Sequence, residues 1–184
     1  QRQMCIRDSS IIGKDLDSLA DDVSFGVAPS LIVFSLFKEM DYSGAMESLA
    51  GVFPYLAFLL SVFSALRLAK FNNDTRQTSS FVGLPVPANA LFWASLVTGA
   101  HDWLVSSNFH PVYLLLLVCL FSWLLVSEIP MFSLKFKNLS WKDNKTSFIF
   151  LLVCIPFLIF LGICSFSAII VWYILLSLIT RKSK

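Results

Sequence analysis

Long apolar runs separated by short polar loops leave this chain few ways to fold. Six runs can be marked: about Gly13–Phe37, Met46–Phe71, Leu84–Leu104, Pro111–Ile129, Ser147–Ile163 and Phe166–Thr180. Most reach the roughly 20 residues that a helix needs to cross the hydrocarbon core of a bilayer. As helices they satisfy their own backbone hydrogen bonds, which lipid cannot do. The expected fold class is therefore all-α, a polytopic transmembrane helical bundle with about six membrane helices. The last two runs are short and closely joined, as in a tilted hairpin. Pro54, Pro87 and Pro156 fall inside or near the starts of these helices, which membrane helices tolerate.

Composition points the same way. Hydrophobic residues make up 57% of the chain and charged residues 14%, with a mean hydropathy of +0.74. Soluble domains carry about 25% charged residues, so this is an integral membrane protein. The net charge of +2 is small and its basic residues are spread over several loops, which argues against a nucleic-acid partner. Eighteen Phe and five Trp suit lipid-facing helices and interfacial belts. The four cysteines show no CxxC or Cys/His spacing that would suggest zinc.

Residues 1–10 (QRQMCIRDSS) are polar, unpatterned and joined abruptly to Ile11-Ile12-Gly13. They fit neither a signal peptide nor a transit peptide. They are expected to be a foreign leader, with 11–184 forming a single transmembrane domain.

Loop charge orients the bundle. Arg67, Lys70 and Arg76 follow the second run, Lys135, Lys137, Lys142 and Lys145 follow the fourth, and Arg181, Lys182 and Lys184 follow the sixth. The intervening loops carry only Lys38. If all six runs span, every basic cluster lies on one side, and the positive-inside rule makes that side cytoplasmic. Lys14, Asp17 and Asp21 then lie at the cytoplasmic end of the first helix. His101 and His110 fall on the far side, away from this chemistry.

The stretch GKDLDSLADDVSFGVAP, Gly13 to Pro29, carries the candidate chemistry. Residues i and i+4 of a helix lie one above the other, so Asp17 and Asp21 point into the same space. Carboxylates near a bilayer are costly and mark function. A divalent metal ion is the natural counter-charge; a polar helix end solvated by headgroups is the plainer alternative. Asp15 and Asp22 point elsewhere and are expected to face water or headgroups. Gly13 permits close backbone approach to a neighbour or ligand. Ser24, Gly26 and Pro29 are expected to serve packing and helix shape, Gly26 by letting another helix come close.

The spacing Gly13-x3-Asp17-x3-Asp21 resembles the second half of the signature of the CDP-alcohol phosphatidyltransferases, D-x2-D-G-x2-A-R-x8-G-x3-D-x3-D. The first half is absent ahead of Gly13. Leu16-Asp17-Ser18-Leu19-Ala20-Asp21, followed by Val23 to Pro29, is similar to the bacterial phosphatidylserine synthase branch. So is a second block: Arg67-Leu68-Ala69-Lys70-Phe71-Asn72, then Asp74-Thr75-Arg76-Gln77, then Phe81 to Ala90. The likeness is strong from Gly13 to Ala90 and elsewhere extends only to apolar helices.

The resemblance implies transfer of a phosphatidyl group from CDP-diacylglycerol to L-serine at the cytoplasmic face of a bacterial inner membrane. It implies a two-metal site for Mg²⁺ or Mn²⁺, with Asp17 and Asp21 as ligands and Asp21 also as the base for the serine hydroxyl. It implies substrate contacts from Gly13, Lys14, Arg67, Lys70, Asn72 and Arg76, and a homodimer among membrane lipids. The missing half-signature leads to the expectation of a truncated N-terminus, an incomplete metal site and an inactive fragment. Anchoring to anionic lipid remains an equal reading of Arg67, Lys70 and Arg76. Glu128 is expected to be solvated or paired with a lysine, and Pro85 and Pro87 to shape the entry to the third helix. Two rival functions stay open: transfer to another alcohol, such as glycerol 3-phosphate or inositol, and an ion-coupled transporter. A transporter would place its ionisable groups near the bilayer midplane, whereas these precede the apolar run.

Overall fold

A computed structural model describes residues 11–42, 44–73, 81–131 and 145–181. The leader at 1–10 and Arg76 lie outside the described residues, and the side chain of Lys14 is likewise not described. The helices coincide with the six apolar runs. The first run is one long rod: α1 (Ile11–Asp22), a π-turn (Val23–Val27) and α2 (Ala28–Glu39). A 3₁₀ turn (Gly44–Leu49) and the short α3 (Phe53–Leu56) lead into α4 (Leu59–Asn73). There follow β1 (Phe81–Val82), α5 (Val86–Val105), α6 (Pro111–Val126), β2 (Pro130–Met131), α7 (Lys145–Phe160), a 3₁₀ turn (Gly162–Cys164) and α8 (Ser165–Arg181).

Among the described residues, Asp15–Glu39, Phe53–Asn73 and Gly162–Thr180 are long and apolar enough to cross a membrane, while Pro111–Val126 and Thr146–Phe160 are apolar but shorter. A 16-residue helix such as α7 is about 24 Å long, so it reaches less far than the long rod. It folds back on α8 through Gly162, whose φ of +54° lets the chain reverse. This is the hairpin expected from the last two runs.

The π-turn has a local cause. Pro29 follows it in the first turn of α2 and has no N–H to donate. The Ala28 N–H reaches back to the Val23 carbonyl, one residue beyond α-helical register. Ser30, wholly buried, donates its hydroxyl to the Gly26 carbonyl at 2.7 Å. The rod therefore stays continuous while its upper half turns relative to its lower half.

Side chains of α2, α4, α5, α6 and α8 fill the core, with Phe37, Leu60, Trp93, Leu114 and Val118 fully enclosed. Phe92 stacks on Phe121 with ring centroids 4.0 Å apart, tying α5 to α6. Polar contacts join α5 to α8: the Ser95 and Ser167 hydroxyls are 2.6 Å apart, and Ser167 also donates to the Phe92 carbonyl at 3.0 Å. Next to them Gly99 lies directly against Cys164, the close approach that small residues give membrane helices. Many large apolar side chains of α7, among them Leu152, Ile159 and Phe160, face outward, as they do on a lipid-facing surface.

The segment before α5 is anchored to the end of α6. Phe81 pairs with Met131 and Val82 with Pro130, antiparallel. The Gly83 N–H donates to the Ile129 carbonyl at 2.9 Å, and the Leu84 N–H to the Leu124 carbonyl at 3.0 Å. Gly83 has φ +76°, and a Cβ there would lie 2.7 Å from the Leu125 carbonyl oxygen. Pro85, extended at ψ 136°, caps α5, and Pro87 sits in its first turn, which matches the role expected of this proline pair.

Candidate active site on the first helix

Two faces of α1 divide the work. Asp17 and Asp21 lie one turn apart on one face, Asp17 exposed and Asp21 partly covered. On the adjacent face Ser18, Asp22 and, within the π-turn, Gly26 form the seam with α4. Asn72 donates its amide to the Ser18 hydroxyl at 2.7 Å. At the other end of the seam a Cβ on Gly26 would meet the Ser64 Cβ at 3.0 Å. Ser18 thus stands against Asn72 and Gly26 against Ser64, so α1 and α4 run antiparallel. α1 is thereby brought alongside the last turns of α4, which carry Arg67, Lys70 and Asn72, with Asn72 making the contact to α1.

The expected site residues fall into distinct surroundings. Gly13 is half-buried in the first turn of α1. Arg67 is only 7% exposed; its guanidinium lies 5.7 Å from the Phe71 ring centroid, and its Nε has no hydrogen-bond partner. A buried donor without a partner is costly and invites an acceptor. Lys70 reaches the end of α6, where Nζ is 3.3 Å from Glu128 Oε1 and 3.4 Å from the Val126 carbonyl. A cation at a helix C-terminus is favourable, and Glu128 is lysine-paired as its position suggested. Asn72 is engaged with Ser18. Arg76 and the side chain of Lys14 lie outside the described residues.

Two features were not anticipated. Asp22 does not simply face water: its Oδ1 is buried beside Gly26 and has no hydrogen-bond partner. Ser64, fully buried, also has a hydroxyl without a partner. The i, i+4 spacing of Ser18 and Asp22 was a visible signal for a second polar face. The π-turn that carries this face on to Gly26 was not.

The chemistry open to this arrangement follows from its charges. Like charges one turn apart repel, and an ion of opposite sign between them removes that cost. Carboxylate oxygens are the ligands that Mg²⁺ and Mn²⁺ favour. Among the described residues no three His, Cys, Asp or Glu side chains form a group that could hold a metal ion. Asp17 and Asp21 offer two carboxylates of the kind such an ion takes, and a complete set would need further oxygens, for example from a substrate's phosphates.

No family model matches the chain. Individual proteins do. The CDP-diacylglycerol–serine O-phosphatidyltransferase of Helicobacter pylori is 31% identical over 189 aligned residues, which cover 96% of this chain and 74% of that protein. The enzyme of the same name from Bacillus subtilis is 33% identical over 120 residues, 65% of this chain and 58% of that protein. The archaetidylserine synthase of Methanothermobacter thermautotrophicus is 35% identical over 91 residues, 49% of this chain and 35% of its own length.

Proposed function

Because the chain belongs to the CDP-diacylglycerol–serine O-phosphatidyltransferases, a branch of the CDP-alcohol phosphatidyltransferases, we propose that it transfers a phosphatidyl group from CDP-diacylglycerol to L-serine, giving phosphatidylserine and CMP. The observation that carries this is the seam through Ser18 and Asn72. It ties the acid-bearing helix to the helix end that carries Arg67 and Lys70, at the edge of an apolar bundle, where the headgroup of a lipid donor would lie. The excess of basic residues at the same end supports a cytoplasmic orientation, in keeping with a bacterial inner membrane.

Asp17 and Asp21 would hold a divalent cation, Mg²⁺ or Mn²⁺, together with oxygens of the donor. When bound, such an ion neutralises the diphosphate and stabilises charge on the departing CMP. The chain's own groups account for the rest. Asp21 accepts the proton of the serine hydroxyl as its oxygen bonds to the phosphorus that bears diacylglycerol. The bond from that phosphorus to the oxygen of CMP breaks, and CMP leaves with the electron pair. Arg67, buried and with a free donor, offers a charge-assisted hydrogen bond to a phosphate or to the serine carboxylate. The apolar outer surface keeps the acyl chains in the lipid.

Ligand binding to the protein in nanodiscs tests this directly. Labelled CDP-diacylglycerol should bind in the presence of Mn²⁺, and binding should be lost on chelation and in D17A/D21A. With donor bound, L-serine should raise the thermal midpoint further, and glycerol 3-phosphate or inositol should not. Donor binding indifferent to divalent ions and to both aspartates would refute the assignment. Ion flux in vesicles free of the donor lipid would point to a transporter instead.

A further inference from the structure

The seam between α1 and α4 assigns Ser18 and Asn72 a role apart from substrate contact. We propose that they are a positioning pair: their hydrogen bond fixes the rotation of α1 about its own axis and so holds Asp17 and Asp21 in the register that a divalent cation requires. This rests on the metal-dependent reading above.

Several features converge on it. The bond joins residues 54 apart in sequence, is partly buried, and is short at 2.7 Å. Ser18 follows Asp17 directly and precedes Asp21 by three residues, so it lies about 100° round the helix from Asp17. A tether at Ser18 therefore sets where both carboxylates point without occupying either. Two lateral contacts hold the first rod against α4: one at the π-turn, where Gly26 meets Ser64, and the Ser18–Asn72 bond at the polar half of α1, level with the acids. The π-turn shifts the helical register by one residue but stays helical and hydrogen-bonded, so the bond at Ser18 fixes the facing of α1 about two turns beyond the first contact. The bond runs between side chains of two helical residues, so it links α1 to α4 directly. Groups that orient metal ligands in this way commonly matter as much as the ligands themselves.

The experiment uses the full chain in nanodiscs with three readouts: Mn²⁺ affinity by electron paramagnetic resonance, thermal midpoint, and affinity for labelled L-serine at saturating Mn²⁺ with CDP-diacylglycerol present. Ser18→Ala and Asn72→Ala should each weaken Mn²⁺ binding on the order of tenfold. The double variant should lose less than the sum of the two single losses, since the two side chains share the Ser18–Asn72 bond. Ser18→Thr, which keeps the hydroxyl, should bind like the parent, and serine affinity should be unchanged throughout. If either alanine variant fails to fold, the disulfide-linked pair Ser18→Cys with Asn72→Cys is the deciding case: a covalent tether should retain Mn²⁺ affinity and its reduction should lower it. Unchanged Mn²⁺ affinity in folded alanine variants would overturn the proposal. So would additive losses, or a fall in serine affinity confined to Asn72→Ala, which would make Asn72 a substrate contact. A parent protein that binds donor lipid but no Mn²⁺ would overturn the pair's role and the metal reading while sparing the transferase assignment.

Discussion

Gly26 packs directly against Ser64 where the first rod meets α4. A Cβ on Gly26 would come within 3.0 Å of the Ser64 Cβ and would overlap Asp22 Oδ1. The absent side chain lets the acid-bearing helix lie against the basic one.

Gly26→Ala should therefore push α1 and α4 apart or expel the Asp22 carboxylate. Overpacking of this kind costs about 1–3 kcal/mol. Unfolding in a detergent titration should show that loss, and Mn²⁺ affinity should fall with it because the acidic face moves. An unchanged midpoint with unchanged Mn²⁺ binding would mean the seam is looser than described.

Asp17→Asn and Asp21→Asn should both show their main effect when metal is present. In chelator, Asp21→Asn removes one of two like charges at i, i+4 and should leave the thermal midpoint equal to or above the parent's. With Mn²⁺ added, the parent should gain stability by ligand linkage and both variants should lose that gain. Asp22→Asn should keep it, because Asp22 lies on the adjacent, α4-facing side of the helix.

Gly83→Ala should be costly although Gly83 lies outside the acidic site. Its φ of +76° is unfavourable for any residue with a Cβ, and that Cβ would press on the carbonyls of Leu125 and Ser127. About 1–3 kcal/mol is expected from the backbone conformation alone. The contact to α6 would open, which protection of the Gly83 and Leu84 amides from hydrogen exchange would report.

Lys70→Ala and Glu128→Ala should be mild. The pair is 3.3 Å apart, with side chains 39% and 71% exposed. Such pairs contribute about 0–1 kcal/mol. A double-mutant cycle should place the coupling in that range and show it fading at high salt. A larger, salt-independent coupling would mean the pair is shielded by lipid or by another chain.

Much of the fold could be read from the residues in order. Six apolar runs became helical units because the backbone of a chain this apolar must bond within itself. The prolines at 85 and 87 marked a helix entry because a fixed φ and a missing N–H suit a first turn. Lys70 was harder. Its place in a basic stretch suggested either anchoring or substrate contact, whereas in the fold it closes the end of α6, a partner 56 residues away.

The sequence by itself determined that this protein is a helical membrane bundle with Asp17 and Asp21 on one helical face, because hydropathy and the 3.6-residue period are local properties. Only the tertiary structure decided that α1 lies antiparallel to α4 and that Asn72 takes Ser18. It also decided that Asp22 turns inward beside Gly26. These depend on how two helices far apart in sequence mesh, and a one-residue π insertion is enough to change which faces meet.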